Sequence, residues 1–419
     1  MTPKNRFLSP RVDAALWRPA AAVTSRYRTA CRLQLCATMD GAARASHREF
    51  IGARDWAAVS QFWRGVVAGV QSIPRFVHGG QFDPSVSSPG VSWEVLEKEG
   101  RDRRCTYFVC LAYHGPGFQG WQWHATARTV CGCVESGLQA LLGGPRPVVH
   151  VAGRTDKDVH GLGQVCSFHT WQAVAKEDVA RCIDMQAVGG DLRTLHVRRV
   201  PRSLHANFQA KWRRYVYLFP LNRARPTTGD GAGSDGDGEF DVDVGRVDDM
   251  LRRLEGEELG YEALSFGPRK AKSLRDLCTL HQARAWVTEV ETPTGGVVRG
   301  GMEARGVDGS GAGGGGGGAA AAATAARVGR SARIPVMAVE LVGDRFIRRM
   351  VRILVATAVR EAVRPGWEPG ALRAVVESRD RGLAALPAPG VGLCMAGVGY
   401  SSWPPLPPPG SSDGISISR

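Results

Sequence analysis

The sequence predicts an α/β (α+β) fold in which a mainly antiparallel sheet, flanked by helices, is divided into two lobes. Three observations carry this. Residues 106 to 169 read as strand, helix, strand, loop, strand; residues 212 to 360 repeat an alternation of strands and helices; and the stretch joining parts of the second set is too rich in glycine to belong to a compact core. With 419 residues and 43% hydrophobic content, the chain is long enough for two lobes and appended segments.

The elements follow in order. Thr106 to Tyr113 (TYFVCLAY) is an apolar run bounded by charge and glycine, as in a buried strand. Thr129 is placed to cap a helix whose Val130, Val134, Leu138 and Leu141 recur at helical spacing, and Gly143-Gly144-Pro145 stops it. Val148 to Ala152 reads as a strand leading into Gly153-Arg154-Thr155-Asp156, and Gln164 to His169 as the strand that follows. In the second lobe, strands are predicted over Trp212 to Phe219 and Ile334 to Val342, with a helix on Val247, Leu251 and Leu254 and another from about Asp344 to Arg360. Residues 40 to 100 show no clear period and receive no fold. The division is 39–100 unassigned, 101–211 an N-terminal lobe, 212–402 a C-terminal lobe with insertions at 227–239 and 291–330, and 403–419 a Pro-rich and polar tail. The second insertion holds six consecutive glycines, Gly313 to Gly318, and reads as a mobile surface loop, because glycine loses much entropy on ordering and buries no side chain.

Composition narrows the partners. Lys and Arg outnumber Asp and Glu by 54 to 40, a net charge of +14 that suits a polyanion such as RNA. Residues 1–38 carry Lys4, Arg6, Arg11, Arg18, Arg26, Arg28 and Arg32 against Asp13 alone, the composition of an organellar transit peptide, so a plastid or mitochondrion is the expected compartment; a basic tail of a nuclear or cytosolic protein is the alternative. No apolar stretch approaches the roughly 20 residues of a membrane-spanning helix. The ten cysteines include no Cys-x-x-Cys, which argues against a structural metal.

If the run before it continued as a strand, Arg154 and Asp156 would share a face, and an ion pair between them would keep a carboxylate ionised and oriented. By itself Arg-x-Asp is more often a structural salt bridge. Its company changes the reading: Tyr113-His114-Gly115-Pro116-Gly117-Phe118-Gln119-Gly120-Trp121-Gln122 upstream, then Phe208-Gln209-Ala210 with Arg213-Arg214-Tyr215-Val216-Tyr217, then Arg345-Phe346-Ile347-Arg348-Arg349-Met350-Val351-Arg352. In this order and spacing the blocks resemble the TruA-type tRNA pseudouridine synthases, from about Tyr107 to about Tyr400.

The resemblance implies the pseudouridine synthase fold with an RNA-binding cleft between the lobes. It also implies an isomerase acting on tRNA, in the anticodon stem-loop region, as a homodimer and without cofactor or metal. It makes Asp156 the nucleophile, Arg154 the arginine associated with flipping the target nucleotide, Tyr215 the tyrosine that packs on the uracil, and Arg352 the arginine that pairs with the aspartate. Gln164, matched in the block after Asp156, is expected to support that loop and is counted among the RNA-binding residues. Alternation on the strand puts Arg213, Tyr215 and Tyr217 on one face, suited to RNA. Arg345, Arg348, Arg349 and Arg352 recur at helical steps as a basic stripe, the first three toward phosphates. The chain departs from the family pattern at Asp158, where glycine is usual, and at Ala187, Gly189, Asn207 and Ala356. These departures motivate a second reading, a catalytically silent RNA-binding paralogue; a synthase acting on other RNA is a third.

Overall fold

The computed structural model describes residues 41–71, 104–224, 240–266, 277–292 and 332–400. The expected transit peptide, the insertion at 227–239, nearly all of that at 291–330 and the tail at 403–419 lie outside the described residues.

The architecture is one nine-stranded sheet with helices on both faces. Its strands are β1 (Cys105–Tyr113), β2 (His150–Val151), β3 (His160–Thr170), β4 (Leu192–Val200), β5 (Trp212–Pro220), β6 (Glu258–Gly260), β7 (Leu277–Thr292), β8 (Ala332–Gly343) and β9 (Leu393–Gly399). They run in the order β4-β1-β3-β9-β5-β8-β7-β6, with β2 hydrogen-bonded to β3. All pairings are antiparallel except β3 with β9, where His160 faces Cys394 and Gly161 faces Met395. The two lobes therefore share a single sheet, and β9, the last strand among the described residues, is the seam between them.

β1 is buried along its whole length, as its apolar run requires. Thr129 accepts a hydrogen bond from the Gly132 amide and starts the helix Val130–Leu142, which ends at Gly143 with φ 68°. Several boundaries differ from the sequence reading, among them that of the strand expected over Gln164 to His169, which starts already at His160. The strand expected over Val148 to Ala152 contracts to His150–Val151, because the chain turns into the loop carrying Asp156. β7 runs on to Thr292, two residues into the stretch read as an insertion. The late helix begins at Met350, not near Asp344: Arg349 sits in the left-handed region at φ 62° and cannot continue a helix backwards.

The stretch left without a fold holds two helices, Gly41–Gly52 and Trp56–Ala68. The second starts on Asp55, which accepts from the Ala58 amide, and ends on Gly69 at φ 78°. Its Val59, Phe62, Trp63, Val66 and Val67 are buried against Ala112, Leu162, Val216, Leu218, Ala338 and Cys394. Val216 and Leu218 alternate with Tyr215 and Tyr217, so this helix covers the sheet face opposite the one that carries Tyr215. On the front face, the helices Val130–Leu142 and Lys176–Asp184 bury Leu111, Tyr113 and Phe168 in one half, and the helices Val244–Arg252, Met350–Ala362 and Ala371–Ser378 bury Tyr217 and Leu341 in the other. Among the described residues no helix is long and apolar enough to cross a membrane.

Candidate active site

The loop after β2 is fixed by neutral hydrogen bonds. The Ala152 amide donates to the Val165 carbonyl at 2.9 Å, the Trp121 amide to the Thr155 carbonyl at 3.0 Å, and the Gln164 side-chain amide to the Gly153 carbonyl at 2.7 Å. Gln164 Nε2 also donates to the Tyr113 oxygen at 3.2 Å, and Tyr113 shares a 2.8 Å hydrogen bond with Thr155 Oγ1. Burial pushes the Tyr113 phenol up, which keeps it protonated. At the far end of the loop, His160 Nδ1 accepts from the Gly115 amide at 3.1 Å and Nε2 donates to the Val391 carbonyl at 2.9 Å. Full burial holds this imidazole well below its usual range, and hence neutral. His160 stacks on Trp63 of the back-face helix at 5.7 Å between ring centroids, so the helix outside the resembling region braces the loop from behind.

Asp158 adopts φ 66°, which explains why a glycine would suit the position. Gly115 lies against it so closely that a β-carbon there would stand 2.3 Å from the Asp158 carbonyl.

This scaffold presents Asp156 to a cleft of about 1240 Å³ whose lining comes from both halves of the sheet. Asp156 is 32% exposed, and its Oδ2 lies 3.4 Å from Arg352 Nη1 and 3.8 Å from Arg349 Nε. Arg352 stands in the first turn of its helix, anchored by Nε donating to the Ala388 carbonyl at 2.7 Å. Tyr215, nearly buried, forms one wall, edge-on to Phe346 with centroids 4.9 Å apart. Its phenol is pushed up to about 12, chiefly by burial, with the Asp156 charge adding to the shift. The site therefore offers a carboxylate beside two guanidinium groups and a protonated phenol ring.

Several predicted residues land elsewhere in this arrangement. Arg154 is exposed in the same cleft, but Asp156 pairs with Arg352 and Arg349 and not with Arg154, because residues 152 to 159 are a loop and not a strand. Gln164 is fully buried, so it holds the loop and offers no surface to RNA. Tyr217 is also fully buried, donating to the Pro389 carbonyl at 2.9 Å; it shares a face with Tyr215 but lies deeper along the strand. Arg213 spends every guanidinium nitrogen on protein: Nε and Nη2 on the Ala152 carbonyl, Nη1 on those of Ala210 and Asp344, and Nη2 also on Asn207. It is a clamp tying the Asp156 loop to the 344–349 segment. The basic stripe is not a helix face either, since Arg345, Arg348 and Arg349 precede the helix. Arg345 and Arg348 are exposed at the cleft, Arg345 beside Asp344 at 3.3 Å, and Arg349 lies 4.2 Å over the Phe266 ring. Phe266 and Trp63 are site-supporting residues that the sequence motifs did not point to. Among the described residues no cluster of His, Cys, Asp and Glu could hold a metal.

Comparison with known proteins supports the same assignment from another direction. Proteins named tRNA pseudouridine synthase A match most of this chain: that of a Jannaschia species is 26% identical over 299 residues, covering 71% of this chain and 96% of the relative. The corresponding protein of Paramagnetospirillum magneticum is 27% identical over 297 residues, covering 71% and 95%. The similarity is to the tRNA pseudouridine synthase A proteins, in agreement with the TruA-type resemblance of the sequence motifs. No family model matches this chain. The tRNA pseudouridine synthase A of Klebsiella pneumoniae is 36% identical over 123 residues, covering 29% of this chain and 44% of that protein.

Proposed function

We propose that the protein is a tRNA pseudouridine synthase that isomerises uridine in the anticodon stem-loop region, with Asp156 as nucleophile. The observation that carries this is the Asp156 carboxylate beside Arg352 and Arg349 in a cleft walled by Tyr215, the carboxylate that the resemblance marks as catalytic. The isomerisation breaks the bond from uracil N1 to C1′ and forms one from C5 to C1′; the proton lost from C5 is replaced by one gained at N1. No redox partner is needed. Two guanidinium groups beside Asp156 hold its carboxylate at the cleft, where it can act as a nucleophile. Tyr215 remains a phenol, so what it offers is a ring against which an extruded uracil can stack, and Arg154 is free to occupy the space the flipped base leaves. Arg345 and Arg348 at the rim are placed for phosphates, and the excess of cations over acids in the cleft lining supports a polyanionic ligand. Assembly as a homodimer and import into a plastid or mitochondrion belong to the same proposal, supported by the resemblance and by the arginine-rich first 38 residues.

The test is tritium release from tRNA transcripts labelled at uridine C5. The parent protein is expected to release tritium, and Asp156→Asn to lose at least about a thousandfold in rate while binding RNA within a few-fold of the parent. Equal turnover by the two would overturn the assignment of Asp156. The second reading, a silent RNA-binding paralogue, is favoured by Asp158 in a left-handed conformation. Tight tRNA binding with no release over a panel of transcripts would establish it.

A further inference from the structure

A column of aromatic rings rises from the sheet to the surface beside the cleft and ends in an unused face. His150 of β2 packs on His205 with centroids 4.5 Å apart, and His205 stacks on Phe208 at 4.2 Å and an interplanar angle of 25°. Phe208 is 81% exposed, among the most exposed large apolar side chains of the described residues. An exposed phenylalanine is ordinarily on a loose loop; this one is not. His205 Nδ1 accepts from the amides of Asn207 and Phe208 at 3.1 and 3.4 Å, and the His205 amide donates to Gln209 Oε1 at 2.8 Å. Gln209 Nε2 in turn donates to the Ser203 carbonyl at 2.9 Å, Tyr400 holds the Ala206 carbonyl at 2.9 Å, and Arg213 holds Asn207 through both its carbonyl and its side chain at 3.1 Å. The segment that carries the ring is thus fixed in place, with an apolar face of the ring open to solvent.

His150, His205 and Asn207 line the same cleft as Asp156, and so do eight Arg or Lys residues against three Asp or Glu. A flat, open ring at the edge of a cationic cleft matches a nucleobase attached to a polyanion better than a peptide side chain. The geometry points to Phe208, backed by His205 and His150, as a stacking platform for an unpaired nucleobase of the RNA, next to but distinct from the pocket for the target uridine. This rests on the synthase reading only for the identity of the RNA; the stacking itself is independent of turnover.

The experiment uses the full chain and a set of RNA anticodon hairpins, each with one loop position replaced by 2-aminopurine, whose fluorescence is quenched on stacking. The parent is expected to quench the probe at one or two positions. Phe208→Ala is expected to abolish that quenching, weaken hairpin binding about tenfold and raise KM with kcat near the parent value, whereas Phe208→Trp retains quenching and affinity. Because the side chain is exposed, the melting temperature of Phe208→Ala should match the parent, which separates lost stacking from lost folding. Unchanged quenching and affinity in Phe208→Ala would overturn the platform while leaving the synthase intact if tritium release persists. Quenching that depends on Phe208 without tritium release by the parent would uphold the platform and overturn the synthase. A parent that binds no hairpin would overturn both.

Discussion

The two halves of the sheet reach the cleft with different chemistry. The half built on β1, β3 and β4 supplies Asp156 and holds its loop through neutral groups of its own, the Gln164, Tyr113 and Thr155 relay, the buried imidazole of His160 and backbone amides, while the Arg213 clamp reaches the same loop from β5. The half built on β5, β8 and the Met350–Ala362 helix supplies positive charge, through Arg349 and Arg352, and the ring of Tyr215. Neutral bonds give direction without competing for the carboxylate's charge, so its strongest electrostatic partners are those across the cleft. The carboxylate and the guanidinium groups meet because β9 joins the two halves into one sheet.

The comparison can be broken most strongly from the charged side. Arg352→Lys keeps the charge but removes the fork that spans Ala388 and Asp156, and tritium release should fall roughly a hundredfold with RNA affinity little changed. A lysine variant with parental turnover would show that charge alone suffices there. From the neutral side, Gln164→Leu leaves the Gly153 carbonyl without its donor and should cost about 1–3 kcal/mol in urea denaturation. Its kcat should fall less than that of Arg352→Lys; the reverse order would mean that loop position outweighs polarisation. The smallest effect is expected at Asp158. Asp158→Gly relieves a left-handed aspartate but adds unfolded-state entropy, so stability should change by less than about 1 kcal/mol. A revival of turnover by that variant from an inactive parent would single out residue 158 as the lesion.

Legibility differed with the kind of signal. Thr129 at its cap, the buried run of β1 and the alternation on β5 are local features, and each was readable because short-range sterics and burial fix them. The helix Trp56–Ala68 escaped because Trp56, Phe62 and Trp63 are interleaved with small and polar residues, and only packing on the back of the sheet gives the pattern a meaning. The arginine periodicity from Arg345 to Arg352 misled for the converse reason. Spacing alone cannot show that Arg349 turns left-handed and that Asp344 is tied to Thr279, its side chain accepting from the Thr279 amide at 2.9 Å.

Motif order and residue type are written along the chain, and they were enough for the family resemblance, the mixed fold, the segment that bears Asp156 and the residues worth testing. Only the tertiary structure decided which of those residues share the cleft. Asp156 and Arg352 lie 196 positions apart and meet because β9 inserts between β3 and β5. Arg213, Tyr217 and Gln164 carry the right chemistry for RNA, yet burial and the need to satisfy buried carbonyls commit them to holding the protein together.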